Sequence, residues 1–451
     1  MPLLRFAAPL IAVLVLAVGW SSPAGAVDPK RVVTGSGIEA WLVEDHANPV
    51  LSVKFGFRGG ASLDPADKPG VANLVAGTLN EGAGELPSQA FQEALAAKAI
   101  EMSFGAGHDD FSGTLKTLSE HRGRAFELLG LALTEPRFDP EPVARVTSQV
   151  RANLATQAEE PSYIANRALM RALFPDHPYG EPTDGTPASL DAIAPKDLHA
   201  YVERAFTRDR LVIGVAGDIT PEELKPLLEK AFGRLPQSSQ AAQPVPETEP
   251  EAAGETMVVD RDIRQAWVAF AHPGIARDDP DYYAASLVNY ILGGGSFASR
   301  LMQTVRVEHG LAYSVYSYLH TLEHAPLIGG GLGTSNDRVA KALKLTRDTW
   351  RRLASEGPTE KELKDAKTYL KGSFATNLGS TGGIAAVLRA MQREKLGIDY
   401  MDERRELIDG VTAEDAKRVA GELLEADALT TVIVGEPTDV EPTRPAPEIG
   451  S

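Results

Sequence analysis

The chain has 451 residues, 43% of them hydrophobic, enough to fill two or three cores. Lys and Arg number 45 against 62 Asp and Glu, and a net charge of −17 repels a phosphate backbone, which argues against nucleic-acid binding. There is no cysteine, which excludes thiolate metal sites, disulfide staples, a cysteine nucleophile and lipid attachment at a cysteine.

The first predicted element is a leader. Residues 1–26 read MPLLRFAAPLIAVLVLAVGWSSPAGA: one charge at Arg5, an apolar run from about Phe6 to Val18, then small residues ending Ala24-Gly25-Ala26. That is the pattern of a cleavable secretory signal peptide, and the run is short for a membrane span of about 20 residues. Arg5 is the only charged residue removed, so cleavage moves the net charge from −17 to −18. No later segment reads as a membrane span.

An internal repeat follows. VKFGFRGGASLDPADKPGVANLVAGTLNEG begins at residue 53 and WVAFAHPGIARDDPDYYAASLVNYILGGG at residue 267. Each predicts a strand, a Gly/Asp/Pro turn and an apolar helix, starting near Gly70 or Tyr283. Ala72 and Ala285 lie 213 residues apart. The units also close alike, LHAYVERAFTRDRLVIGVAGDIT (198–220) and AKRVAGELLEADALTTVIVGEPT (416–438), with Gly217 and Gly435 218 residues apart. The repeat predicts two related domains, 27–236 and 257–441. Between them QSSQAAQPVPETEPEAAGET (237–256) has linker composition, and the tail 442–451 is expected to be disordered.

In the second unit SVYSYLH and PLIGGGLGT read as neighbouring strands, and 337–357 and 359–378 as helices. Strands and helices are mixed without strict alternation. The expected class is therefore α+β, each domain an antiparallel-rich sheet with helices packed mainly on one face.

The stretches GGGSFASRLMQTVRVEHGLAYSVYS (293–317), HPYG (177–180), LKGSFATNL (370–378) and VTAEDAKRVAGELL (411–424) resemble the pitrilysin/insulinase family of zinc peptidases, in its bacterial branch similar to mitochondrial processing peptidase. In that family the catalytic helix looks like G-x-A-H-x-x-E-H. The same register here is Gly70-Val71-Ala72-Asn73-Leu74-Val75-Ala76-Gly77, so the resemblance puts Asn73, Ala76 and Gly77 where two histidines and a glutamate base stand. The family's third ligand falls near Ala152 or Asn153. Zinc needs three nitrogen or carboxylate ligands, and its water needs a carboxylate base. An amide, a methyl and a hydrogen supply neither, so no metal is expected in this chain. The helix 70–81 reads as core instead.

HTLEH (320–324) spells the H-x-x-E-H zinc pattern. The pattern works on a helix, where i and i+4 lie about 6 Å apart. The preceding LAYSVYSYL alternates as a strand, on which four residues span about 13 Å. His320, Glu323 and His324 are therefore read as a polar hairpin loop, with a weak metal site as the alternative.

The resemblance implies that Arg306 and Tyr313 bind substrate and steady the transition state. Arg offers a rigid fork of donors for peptide carbonyls, and a tyrosine hydroxyl can donate to an oxyanion. A substrate strand is expected along the edge Ser103-Phe104-Gly105. His177 reads as structural in its turn and His309 as a solvated helix end, and the glycine runs 293–295 and 329–331 lack the phosphate-loop pattern and read as places of close backbone approach. The chain is thus expected to act as a periplasmic subunit on peptide substrates, paired with a homologous subunit that carries the zinc. The alternatives are a non-catalytic peptide-binding or assembly protein, and an autonomous peptidase using HTLEH.

Overall fold

The computed structural model describes residues 28–239, 244–251 and 254–449; the predicted leader lies outside them. The first half contributes β1 (Lys30–Val33), β2 (Glu39–Glu44), β3 (Val50–Arg58), a small hairpin β4 (Gly82–Ala83) and β5 (Leu86–Pro87), then β6 (Glu101–Ala106), β7 (Asp110–Leu118) and β8 (Leu211–Gly217). The second half contributes β9 (Thr256–Val259), β10 (Gln265–Pro273), β11 (Ser314–His320), β12 (Leu327–Ser335) and β13 (Thr430–Val434).

The large sheets run β1-β2-β8-β3-β7-β6 and β11-β12-β10-β13-β9. Reading the second backwards, β9-β13-β10-β12-β11 matches β2-β8-β3-β7-β6. The orientations match as well: β2 with β8 and β9 with β13 are parallel, and the other neighbours are antiparallel. The sequence repeat is therefore a repeat of topology, and the chain is α+β as expected.

Alternation in β3 sends Leu51, Val53, Phe55 and Phe57 to one face, each at most 1% exposed. There they meet helices of the same half, including Val71–Thr78, Arg122–Thr134 and Pro221–Phe232. In the second half Val268 and Phe270 meet Tyr282–Asn289, Val339–Glu356 and Ala413–Leu423 in the same way.

The opposite face of each sheet is closed by the other half. Helix Pro161–Leu173 lays Ile164, Ala165, Ala168 and Ala172 against Ala269, Ala271, Val432 and Val434. Helix Thr381–Arg393 lays Ile384, Ala385, Leu388 and Met391 against Trp41, Val43 and Ala216. Gly214 admits that second helix, since a Cβ there would lie 2.2 Å from the Ala385 carbonyl oxygen. Helices do sit on one face within each half, but the halves exchange one helix each.

Described residues of the predicted linker and tail make specific contacts with the two halves. In the linker, Glu251 donates its N–H to the Leu173 carbonyl at 2.7 Å, and His177 faces the Pro246 carbonyl at 3.0 Å. In the tail, Thr443 pairs with Thr256, while Ala446 and Ile449 pack on the exchanged-helix core. Among the described residues no helix is long and apolar enough to cross a membrane.

Candidate functional site

The helix Val71–Thr78 starts at Gly70, whose φ of 100° suits glycine. The Asp64 carboxylate accepts from the Gly70 and Ala72 N–H groups at 2.8 and 2.9 Å, filling the role of a cap. Ala72, Leu74, Val75 and Ala76 are buried, and Asn73 is half-buried. Gly77 abuts the helix Pro140–Gln157: a Cβ there would lie 2.8 Å from Val146 Cγ1. Asn153 is exposed, about two turns further along that helix. An amide, a methyl, a glycine pressed on valine and an exposed amide do not fit a zinc ion. Among the described residues no three His, Cys, Asp or Glu side chains are grouped to hold a metal.

Arg306 lies in a helical segment, Met302–Glu308, wound wider than an α-helix and anchored by buried Met302 and Val305. Gly310, at φ 60°, donates to the Arg306 carbonyl at 3.0 Å, and Leu311 to the Val305 carbonyl at 2.9 Å, which turns the chain toward β11. The Arg306 guanidinium lies 4.8 Å over the Phe297 ring and makes no ion pair among the described residues. Tyr313 immediately precedes β11 and is 51% exposed. Its ring lies across Gly333, where a Cβ would come within 2.4 Å. Burial of part of the ring raises the hydroxyl above its ordinary pKa, so it keeps its proton and remains a donor at neutral pH. Arg306 and Tyr313 thus share one helix–turn–strand corner, where Phe297 and Val307 are each 55% exposed.

The glycine runs serve this corner. A Cβ on Gly293 would strike the Ser317 nitrogen at 2.3 Å, a close backbone approach as expected. Gly329 and Gly331 instead make room for the rings of Tyr318 and Tyr316. The sequence contains that signal, since β11 alternates tyrosines opposite alternate glycines of β12.

β6 is an edge strand of its sheet. Phe104 turns inward onto the core and the Phe55 ring, so Ser103 and Gly105 face the opposite side.

HTLEH forms the end of β11 and the loop into β12. It is the counterpart of the loop between β6 and β7, and the two loops touch. Asp109 accepts from the Glu323 N–H at 3.0 Å and from the Tyr179 hydroxyl at 2.6 Å, and Tyr179 in turn accepts from the His324 N–H at 3.0 Å. Glu323 faces Arg58 at 3.4 Å, while His324 Nδ1 lies 2.9 Å from Glu247. The His324 imidazole and the Glu323 carboxylate are held by different partners, and His320 ends β11 with its ring 6.3 Å from that of Tyr318. Sequence reasoning missed Asp109, Tyr179 and Glu247; the HPYG stretch flagged the place, but its histidine drew the attention rather than its tyrosine.

Two family models match. The one described as Insulinase (Peptidase family M16) covers residues 40–187, and the one described as Peptidase M16 inactive domain covers 192–370. The chain is 32% identical to the non-peptidase homolog YmxG of Helicobacter pylori over 73% of its own length and 76% of that protein's. It is 28% identical to the mitochondrial-processing peptidase subunit beta of Blastocladiella emersonii, over 71% and 70% of the two chains. A crystal structure titled peptidase M16 inactive domain, from Pseudomonas fluorescens, superposes with a TM-score of 0.85 at 29% identity, over 93% of this chain and all of that one. The repeated sheets, the remnant of the metal helix and these matches agree: the chain belongs to peptidase family M16, the insulinase family.

Proposed function

We propose that this chain is the zinc-free subunit of an exported, heteromeric peptidase, supplying Arg306 and Tyr313 to a site whose metal is held by a homologous partner chain. Tyr313 stands half exposed in the same corner as Arg306, which makes no ion pair among the described residues, while the helix that would hold metal offers only an amide, a methyl and a glycine at the ligand positions. That contrast supports the reading most directly. The Arg306 fork would grip carbonyls of an extended peptide, and the Tyr313 hydroxyl would donate to the oxyanion formed as water attacks the scissile bond. The edge of β6 at Ser103 and Gly105 offers a place for peptide backbone to pair. The leader at 1–26 would carry the chain to the periplasm.

The test is peptide hydrolysis by the mature chain, by a co-purifying homologue with H-x-x-E-H on its first-half helix, and by the mixture. Activity is expected only in the mixture. It should fall about 10²–10³-fold with Tyr313→Phe, the loss typical of a removed oxyanion donor, and strongly with Arg306→Ala. Unchanged rates in both variants would refute the role of the pair. A second reading, a non-catalytic peptide-binding or assembly protein, draws support from the open edge of β6 and from a relative named as a non-peptidase. Peptide binding without hydrolysis in any mixture would favour it.

A further inference from the structure

Three pieces of chain converge where the halves touch: the β6–β7 loop, the β11–β12 loop and the strap 244–251. His177 holds the strap. Its Nε2 lies 3.0 Å from the Pro246 carbonyl oxygen, and its Nδ1 accepts from the Tyr179 backbone N–H at 3.2 Å. Those partners require the neutral ring with its proton on Nε2. A second proton, on Nδ1, would set two N–H groups against each other. His324 holds the strap from the other half: its Nδ1 lies 2.9 Å from Glu247, and its carbonyl accepts from the Thr248 N–H at 3.3 Å. Behind both, His108 packs edge-on against Tyr179 at 5.4 Å, with a buried Nδ1 that has no hydrogen-bond partner among the described residues.

We propose that this joint is a proton-operated latch, which clamps the two loops and the strap together at neutral pH and frees them from one another when His177 and His108 take up protons in mild acid, while the exchanged helices keep the halves joined.

The surrounding charges are mixed. Asp109 and Glu247 favour a protonated His177 and His324 opposes it. Around His108, Asp109 favours the proton, and His320, Arg167 and His177 oppose it. Burial outweighs the acids at both rings: it holds His177 below the ordinary imidazole range and His108 at about 4. His320 is held low by burial too, with Asp109 raising it and Arg393 lowering it. A ring whose pKa is depressed in the closed state favours closure fully above about pH 6.5. That preference is lost as pH falls toward the depressed value. For His108 the window runs from about pH 6.5 to about 4. Each pKa unit is a tenfold change in the ratio of closed to open forms, so His108 alone can shift it by about 10². Glu323, paired with Arg58, and Asp109, which accepts from the Glu323 N–H, add contacts that part with the loops.

The absence of cysteine makes the test direct. Spin labels at Lys98→Cys and Glu249→Cys, exposed positions ahead of β6 and on the strap, report the distance of the strap from the first half in the full mature chain. At about pH 7.5 one compact distance population is expected; at about pH 5 a longer population should rise at least tenfold. His177→Asn keeps an acceptor for the Tyr179 N–H but cannot be protonated, and should blunt the rise. Glu247→Gln, on the exposed strap, should raise the longer population already at neutral pH. Identical distributions at both pH values, or a full transition in His177→Asn, would overturn the latch. If His177→Asn does not fold, hydrogen exchange of wild-type Thr248, Glu323 and His324 decides. Protection falling tenfold beyond the intrinsic pH effect supports the latch, and constant protection overturns it.

Discussion

Gly77→Ala is the smallest change that asks whether the former metal helix has become packing. The added methyl would lie 2.8 Å from Val146 Cγ1, well inside the roughly 3.5–4.0 Å of a comfortable carbon contact. Val146 is 7% exposed and branched at Cβ, so it cannot swing aside cheaply. Overpacking of this kind costs about 1–3 kcal/mol, while alanine in place of a helical glycine returns about 1 kcal/mol. The net expectation is a loss of about 0–2 kcal/mol. Val146→Ala removes two buried methyl groups and leaves a cavity, costing about 2–3 kcal/mol. In the double variant the new methyl partly fills that cavity, so the pair should lose about 1–2 kcal/mol less than the sum of the singles. Urea unfolding at neutral pH, followed by circular dichroism across the four-protein cycle, measures the coupling. Additivity within about 0.5 kcal/mol would mean that the two positions do not touch. Gly77→His should cost more than Gly77→Ala; wild-type stability in that variant would mean the site still has room for a ligand.

Glu362 caps the helix Glu360–Asn377 with Thr359 and grips Arg300 through both oxygens at 2.8 Å. Burial pushes its carboxyl up, but Arg300 and the Thr359 donors outweigh that and hold it at about 2. A carboxyl depressed in the fold stabilises above about pH 4.5 and loses that contribution as pH falls toward 2, so Glu362→Gln should cost about 1–3 kcal/mol at pH 7 and progressively less in acid. A gap in urea midpoint that stays constant down to pH 3 would contradict this. Gly333→Ala should displace the Tyr313 ring, which can swing into solvent, and so, if the proposed pairing holds, lower the activity of the mixture with little change in unfolding midpoint. Equal losses of stability and activity would show that Tyr313 is packing rather than a tool.

The repeat was readable because each half spells the same strand, turn and apolar helix, and Ala72-Asn73-Leu74-Val75 and Ala285-Ser286-Leu287-Val288 share a burial pattern: three buried positions and one half-buried. The strand character of the residues before HTLEH followed from alternation, whereas the edge at Ser103–Gly105 was implied only by the family resemblance. The exchange of helices was not readable. An amphipathic helix such as Pro161–Leu173 declares an apolar face but not which sheet will receive it. The joint was hidden for a related reason: Asp109, Tyr179 and His324 are scattered through the sequence, and only the pseudo-symmetric meeting of two loops brings them together. The contacts of the strap and tail escaped notice because composition reports average solubility, whereas Glu247 and Ile449 act through single contacts.

The exchanged helices also impose an order on synthesis. The first sheet has all its strands once the chain reaches Gly217, yet the helix that covers Trp41, Val43 and Ala216 begins only at Thr381. For more than a third of the chain's length, a nascent first half carries an uncovered apolar face, and its own helix Pro161–Leu173 has no second sheet to grip. Neither half can be cut out as a stable fragment without leaving such a face bare. Cleavage in the segment that joins the halves, by contrast, would leave two pieces that still hold each other by both hands.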